Sequence, residues 1–198
     1  MSSIILNFFG FETLISSKKL NLEKSASIID VGGGASTLVD DLLIDGYSGL
    51  SVLDLSGAAL ETAKKRVGSK AVSVQWLEAD ITEVQLPKHQ FDLWHDRAVF
   101  HFLTKLEERQ AYLKTVAHSV RPNGHIIIST FAEDGPTQCS GLPVMRYSAE
   151  TLRAEFGEGF VLEEQLTENH HTPFGTIQKF VFCHFVKKVH RLNSEVQS

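Results

Sequence analysis

A triple glycine that follows an acidic residue is the first feature of the sequence that could serve chemistry. Residues 28–37 read IIDVGGGAST, so Asp30 stands two positions before the glycines at 32–34. Glycine has no side chain, and a strand that opens into such a turn lets a ligand approach the backbone N–H groups closely. A dinucleotide fingerprint, G-x-G-x-x-G, would need a glycine where Thr37 stands, which disfavours NAD. The carboxylate of Asp30 suits a positively charged ligand instead.

Four ionisable side chains follow the predicted fourth strand. The run LWHDRAVFHFL contains His95, Asp96, Arg97 and His101. A carboxylate such as Asp96 or an imidazole such as His101 could remove a proton from an amine substrate. A guanidinium at Arg97 or Arg146 could instead orient a small acid or a sulfur anion through two hydrogen bonds. The alternatives are a His101 packed among its apolar neighbours and an Arg97 held in a structural ion pair.

Short apolar runs alternate with amphipathic segments, and this alternation predicts strands joined by helices. The predicted strands are 27–31, 50–55, 72–77, 91–95 and 124–131, and the predicted helices are 36–45, 56–67 and 104–120. Thr104, with Glu107 three residues later, predicts a capping box at the start of the third helix. The alternation implies parallel strands joined by right-handed crossovers, hence a doubly wound α/β sheet.

The last third of the chain departs from this rhythm. A helix is predicted from Ser148, and the strands 159–166 and 176–187 are separated only by a turn-rich segment. This pattern predicts an antiparallel hairpin. The predicted fold is therefore α/β, with a mostly parallel sheet and a C-terminal antiparallel hairpin. Ligands of such sheets bind at the carboxyl ends of the strands, so we expect the reactive region there.

The stretch from Asp30 to Ser36 resembles the D/E-x-G-x-G-x-G signature of class I S-adenosylmethionine-dependent methyltransferases, with Ser36 in place of the last glycine. S-adenosylmethionine carries an ammonium, a sulfonium, a ribose diol and an adenine but no phosphate, which agrees with the acid at position 30. In this resemblance Asp54 accepts hydrogen bonds from both ribose hydroxyls, and Asp80 accepts one from the adenine amine. The resemblance covers about residues 25–187 and implies a Rossmann-like methyltransferase fold with seven strands.

The run WHDRAVFHFL resembles the W-D-R-G segment of thiopurine methyltransferase and its relatives. It is similar to a bacterial branch of that superfamily, some relatives of which modify protein lysines. The resemblance implies that His95 and Asp96 border the methionine end of the cofactor and that Arg97 faces the acceptor. The expected cofactor contacts are Asp30, Gly32, Gly33, Gly34, Asp54, Leu55, Asp80, Ile81 and His95. The expected catalytic residues are Asp96, Arg97 and His101, and the expected substrate-binding residues are Arg97, Arg146 and Tyr147.

The composition of the chain is typical of one soluble globular domain, since 42% of its 198 residues are hydrophobic and 22% are charged. We expect a short N-terminal helix or arm over 1–26, a methyltransferase domain over 27–188 and a disordered polar tail over 189–198. The formal net charge of −5 argues against nucleic acid as a partner. No apolar run is long enough to span a membrane.

The cysteines and histidines give two further expectations. Cys139 and Cys183 lie far apart in the sequence and suit the reducing cytoplasm. No metal is expected, because the side chains of the adjacent His170 and His171 point apart and no acid or cysteine stands at ligand spacing.

The predicted activity is methyl transfer from S-adenosylmethionine to an unidentified small-molecule or protein acceptor, at nitrogen, oxygen or sulfur. Such a displacement at carbon mainly needs alignment, exclusion of water and removal of a proton. About 26 residues precede the glycine strand. The expected lid over the acceptor is therefore reduced or missing. Either the chain has lost part of its acceptor site, or a partner subunit, as in a homodimer, supplies the cover. One alternative is a non-catalytic module that binds S-adenosylmethionine, and a less favoured one is an NAD(P)-dependent oxidoreductase.

Overall fold

A computed structural model of the chain describes residues 20–172 and 175–189. The predicted N-terminal arm lies outside the described residues except for 20–26, and the predicted tail lies outside them except for residue 189. The glycine turn and all of the predicted site residues lie within the described part of the chain.

Seven strands form the main sheet. They are β1 (Ser27–Val31), β2 (Gly49–Asp54), β3 (Gln75–Glu78), β4 (Phe91–Arg97), β5 (Val120–Phe131), β8 (Phe160–His171) and β9 (Ile177–Lys187). Their order across the sheet is β3-β2-β1-β4-β5-β9-β8. The first five strands pair in parallel, whereas β9 is antiparallel to both β5 and β8. The predicted doubly wound, mostly parallel sheet with a C-terminal antiparallel hairpin is confirmed.

A short hairpin of β6 (Gln138–Cys139) and β7 (Leu142–Pro143) forms a separate two-stranded sheet. Ser140 and Gly141 connect its strands with φ angles of 51° and 81°. Positive φ at both central residues is the backbone of a tight two-residue hairpin turn. Strands of two residues carry no periodic signal, so the sequence pattern does not predict them.

Four strand boundaries differ from the prediction by more than one residue. Two are strand ends, since β4 ends at Arg97 rather than at 95 and β8 ends at His171 rather than at 166. The other two are strand beginnings. The predicted strand 72–77 begins too early, because Val72 lies in the 3₁₀ turn Gly68–Ser73 and is 94% exposed. The predicted strand 124–131 begins too late, because β5 already pairs with β4 between Val120 and Phe91. The pairing is interrupted and resumes at His125, so residues 121–124 form an irregular insertion in the strand.

The described residues contain four α-helices, α1 (Leu38–Ile44), α2 (Gly57–Val67), α3 (Leu106–Ser119) and α4 (Ala149–Phe156). The hydroxyl of Ser56 caps α2 by accepting a hydrogen bond from the N–H of Ala59 at 3.2 Å. The predicted capping box at Thr104 is wrong by one residue. The N–H of Lys105 donates to the carboxylate of Glu108 at 3.2 Å, so the cap begins one residue later.

Helices cover both faces of the sheet, and side chains that alternate along each strand divide the core in two. The first face packs against α1 and α2 through Ile28, Leu50, Val52, Leu93, Val39, Leu42 and Leu60. The second face packs against α3 and α4 through Ile29, Val31, Trp94, Ile128, Tyr112, Val116, Leu152 and Phe156. These two layers fix the carboxyl ends of β1, β2 and β4 side by side, where the predicted site residues lie.

Candidate active site

The glycine turn after β1 is held tightly against its neighbours. Gly32 has a φ of 73°, a conformation that other residues adopt rarely, and its N–H donates to the carbonyl of Leu53 at 2.7 Å. A Cβ on Gly33 would lie 2.5 Å from Oδ2 of Asp30 and 2.8 Å from Cγ1 of Val52. Both positions therefore require glycine for the backbone to close over the end of β1.

Asp54 ties the glycine turn to the end of β2. Its Oδ2 accepts a hydrogen bond from the N–H of Gly34 at 3.0 Å, and its Oδ1 accepts one from the N–H of Ser56 at 2.8 Å. A carboxylate has about four lone-pair positions, so two can still accept from a diol. The next side chain, Leu55, is 73% exposed. A carboxylate beside an exposed apolar side chain fits the ribose and adenine of S-adenosylmethionine.

Asp80 lies close to this corner. The N–H of Ala79 donates to the carbonyl of Asp54 at 3.1 Å, which joins the two loops. Oδ1 of Asp80 accepts from the N–H and the hydroxyl of Thr82 at 2.8 and 2.7 Å, while the residue as a whole stays exposed. Ile81 is 5% exposed and packs into the core of the second face. Of this predicted pair, Asp80 is accessible to a ligand, and Ile81 mainly supports the loop.

Asp30 and His95 form a buried pair beneath the glycine turn. They are partners in the parallel register of β1 and β4, and Nδ1 of His95 lies 2.5 Å from Oδ1 of Asp30. Their exposed fractions are only 3% and 2%. Oδ2 of Asp30 is buried without a hydrogen-bond partner among the described residues. A buried acceptor with spare capacity fits an ammonium donor, and sequence reasoning missed the pair because strand register is not readable from the pattern.

Asp96 is fully buried and holds the turn after β4. It accepts hydrogen bonds from the N–H groups of Val99 at 2.8 Å and Phe100 at 3.1 Å, and from the hydroxyl of Tyr112 at 2.6 Å. The same hydroxyl accepts from the indole N–H of Trp94 at 2.9 Å. Burial raises the pKa of Asp96 to about 7, although the three hydrogen bonds lower it. This arrangement supports a structural role for Asp96 and gives no support to its predicted contact with the acceptor.

His101 lies in the core, as the alternative interpretation proposed. Its side chain is fully buried in the turn Phe100–Phe102, and its Nδ1 accepts from the N–H of Phe131 at 3.4 Å. Burial lowers the pKa of His101 to about 4, so the ring is neutral at pH 7. This packing supports the alternative interpretation of a His101 packed among its apolar neighbours and gives no support to the expected catalytic role.

Arg97 remains at the carboxyl edge of the sheet, where it ends β4. Burial lowers the pKa of Arg97, and the negative charge of Asp30 raises it in opposition. The charge of Asp30 therefore reaches both of the basic side chains, His95 and Arg97, on the end of β4. Arg97 is the one expected catalytic residue that the structure leaves only half-buried.

Arg146 and Tyr147 lie in the segment between β7 and α4. Arg146 is exposed and donates to the carbonyl of Gly135 at 3.2 Å. Tyr147 is 2% exposed, and its ring packs against Phe100 with 5.6 Å between ring centroids. Tyr147 also lines a cavity of about 600 Å³ beside α4, and none of the predicted cofactor residues lines that cavity. Tyr147 thus packs in the core at the edge of this cavity, and its expected contact with the substrate stays a prediction.

The part of the chain that the structure describes offers neither a membrane-spanning helix nor a metal-binding cluster. No helix within residues 20–172 and 175–189 is long and apolar enough to cross a membrane. In the same ranges, no three His, Cys, Asp or Glu side chains cluster in a way that could hold a metal ion.

Comparisons with known proteins agree with the geometry. Residues 28–124 match a family model described as a methyltransferase domain. The chain is 27% identical over 154 residues to EEF1A lysine methyltransferase 2 of Danio rerio, a match that covers 74% of this chain and 59% of the relative. It is 26% identical over 120 residues to the ubiquinone biosynthesis O-methyltransferase of Rickettsia felis, which covers 61% of this chain and 47% of the relative. The chain therefore spans less than two thirds of the length of these relatives.

A solved structure shares the fold. The 1,6-didemethyltoxoflavin-N1-methyltransferase of Burkholderia thailandensis, with bound 1,6-didemethyltoxoflavin and S-adenosylhomocysteine, matches with a TM-score of 0.67 and 19% identity. The match covers 89% of this chain and 76% of that chain. At this identity the likeness concerns the fold alone. The family match identifies residues 28–124 as a methyltransferase domain, and the fold is that of class I S-adenosylmethionine-dependent methyltransferases, whose cofactor is S-adenosylmethionine.

Proposed function

We propose that the chain transfers the methyl group of S-adenosylmethionine to a nucleophilic acceptor at the carboxyl ends of β1, β2 and β4. The observation that carries the proposal is the corner of the glycine turn and β2. There the N–H of Gly34 bonds the Asp54 carboxylate beside the exposed Leu55. The chain offers a polar acceptor and an apolar surface side by side, as a nucleoside requires.

The proposed contacts divide the cofactor into three parts. Asp54 would accept from the ribose hydroxyls, and Leu55 would cover one side of the adenine while Asp80 accepts from its amine. The Asp30 and His95 pair would face the methionine end, since Oδ2 of Asp30 is a buried acceptor without a partner among the described residues. When bound, the cofactor supplies an electrophilic methyl group on a sulfonium.

The part of the chain in this reaction is to align two reactants and to exclude water. Asp96 contributes by accepting hydrogen bonds from the backbone N–H groups of Val99 and Phe100. These bonds fix the turn after β4 and keep Arg97 at the edge of the sheet. The proposed acceptor atom is a nitrogen, an oxygen or a sulfur. The two curated relatives differ in the same respect, because one is named a lysine methyltransferase and the other an O-methyltransferase.

Calorimetric titration tests the proposal directly. The purified chain is titrated with S-adenosylmethionine, S-adenosylhomocysteine, NAD and NADP, and we expect binding of the first two alone. Replacement of Leu55 by Ser should weaken S-adenosylmethionine binding about tenfold, because a partly covered leucine contributes about 1.4 kcal/mol. The fold should persist, since Leu55 is 73% exposed.

The matched control is Val72→Ser, which removes an apolar side chain that is 94% exposed outside the proposed site. Its affinity for S-adenosylmethionine should equal that of the unmodified chain. Binding of the nicotinamide cofactors alone, or no binding of S-adenosylmethionine, would refute the proposed function. An unchanged affinity in Leu55→Ser would refute the proposed position of the adenine.

A further inference from the structure

The hairpin of β8 and β9 extends past the carboxyl edge of the sheet. β9 pairs with β5 from Val186 to Phe180, and its partner strand ends at Phe131. The pairing of β8 with β9 continues for three more residue pairs, up to His171 and Ile177. At about 3.3 Å per residue, residues 169–171 and 177–179 reach about 10 Å beyond β5. We call these six residues the hairpin tip.

The hairpin tip presents His170 on the face of the sheet that carries the proposed methionine site. Side chains alternate along β8, and the half-buried set includes Leu166 and His170, while His171 is exposed on the opposite side. Leu166 packs into the core of the first face. Leu93 of β4 belongs to the same core, and alternation places Arg97 four residues later on that face too. His170 and Arg97 therefore project from the same face.

The two side chains also lie within electrostatic reach of each other. The pKa of His170 is lowered mainly by burial. The negative charge of Glu168 raises this pKa, whereas the charges of His171 and Arg97 lower it further. β5 and β9 lie between β4 and β8 in the sheet, and the strong twist of a two-stranded ribbon that leaves a sheet allows its tip to turn back toward β4. The negative charge of Asp30 in turn raises the pKa of Arg97. Electrostatic interactions therefore link Asp30, in the proposed methionine site, to Arg97, and Arg97 to His170 in the hairpin tip.

We propose that Arg97 and His170 together form the acceptor site, and that it takes an acceptor whose reacting group is an ionisable O–H or S–H. The inference rests on the proposed methyl transfer and names the acceptor class for it. A neutral imidazole can take the proton of such a group, and a guanidinium stabilises the anion that remains. The neutral His170 ring has one nitrogen that can accept this proton. A protonated amine would instead face the positive charge of Arg97.

The proposed step moves a proton from the acceptor to His170 and the methyl group from the cofactor to the acceptor. The acceptor O–H or S–H bond breaks and its proton moves to the His170 imidazole. The oxygen or sulfur electron pair forms a bond to the methyl carbon, while the bond from that carbon to the sulfonium sulfur breaks and its electron pair stays on sulfur. The products are the methyl ether or thioether of the acceptor and S-adenosylhomocysteine, and the imidazolium returns its proton to water.

Transfer of a labelled methyl group to three probes tests the acceptor class. The probes are thiophenol, phenol and benzylamine, each with labelled S-adenosylmethionine. We expect transfer to the thiol or the phenol at a rate at least tenfold above that to the amine. His170→Asn should lower kcat/KM by about a hundredfold or more and leave the affinity for S-adenosylmethionine unchanged. The control His171→Asn, which changes the exposed neighbour, should keep the activity.

A second measurement needs no acceptor. NMR titration of the His170 ring should show a higher pKa in Arg97→Gln, because the variant removes a positive charge, and no change in Arg146→Gln. A His170 pKa that Arg97→Gln does not alter would overturn the inference. So would a preference for benzylamine, transfer to no probe by a protein that binds S-adenosylmethionine, or equal activity of the two histidine variants. A chain that binds no S-adenosylmethionine fails at the proposed function itself, and the titration reports that failure separately.

Discussion

Replacement of Asp96 by Asn should flatten the pH dependence of the protein's stability between pH 5 and pH 8. Burial raises the pKa of the Asp96 carboxyl from 3.8 to about 7 in the folded chain. Between these two values the folded state binds a proton that the unfolded state has lost. The contribution of Asp96 is therefore fully present below about pH 4 and is lost as the pH rises through about 7.

The magnitude follows from the two pKa values. Each unit of difference corresponds to about 1.4 kcal/mol, so the full contribution is about 4 kcal/mol. Between pH 5 and pH 8 the loss amounts to about 3 kcal/mol in the free energy of unfolding. The figure belongs to a side chain with no exposed surface, so solvent does not screen it.

Urea unfolding at pH 5 and pH 8 measures this loss. The unmodified chain should lose about 3 kcal/mol more stability across the interval than Asp96→Asn does. Asp134→Asn is the control, because Lys179 lowers the pKa of this exposed carboxyl and its titration falls below the interval. Tyr112→Phe keeps the acid but removes a hydrogen bond that lowers its pKa, so the loss should move to higher pH. Equal losses in Asp96→Asn and the unmodified chain would refute the reasoning.

Two further substitutions test the packing. Gly33→Ala should lower the free energy of unfolding by about 1–3 kcal/mol in thermal denaturation, because the new Cβ would lie 2.5 Å from the Asp30 carboxylate. The control is Gly159→Ala, whose Cβ would meet nothing within 4 Å and which should change this free energy by less than about 0.5 kcal/mol. Lys187→Met should lower the free energy of unfolding by about 1–3 kcal/mol, since the Nζ atom of Lys187 donates to two backbone carbonyls at the end of α3. The control Lys188→Met changes an exposed side chain and should leave this free energy almost unchanged. Equal effects within either pair would contradict the contact on which it rests.

The sequence predicts most of the sheet because each strand leaves a local signal. Apolar runs bounded by glycine, proline or acids mark the five parallel strands, and two runs with a short turn between them mark the final hairpin. The glycine turn is equally local, since its three glycines, Asp30 and Asp54 all stand at strand ends. The exception is Val72, whose β-branched side chain indicates a strand although it lies in an exposed turn. Local pattern cannot show that a residue is exposed.

The roles of residues 95–97 depend instead on where β4 ends. The pattern predicts an end at His95, whereas β4 continues to Arg97. In a strand that continues, neighbouring side chains point to opposite faces. Asp96 therefore joins Trp94 on the second face, where Tyr112 donates to it, and Arg97 shares the first face with His95. Because β4 is two residues longer than predicted, Asp96, the expected base, is buried and stabilises the turn after the strand. Arg97 stays at the edge of the sheet, where the proposed acceptor site requires a positive charge.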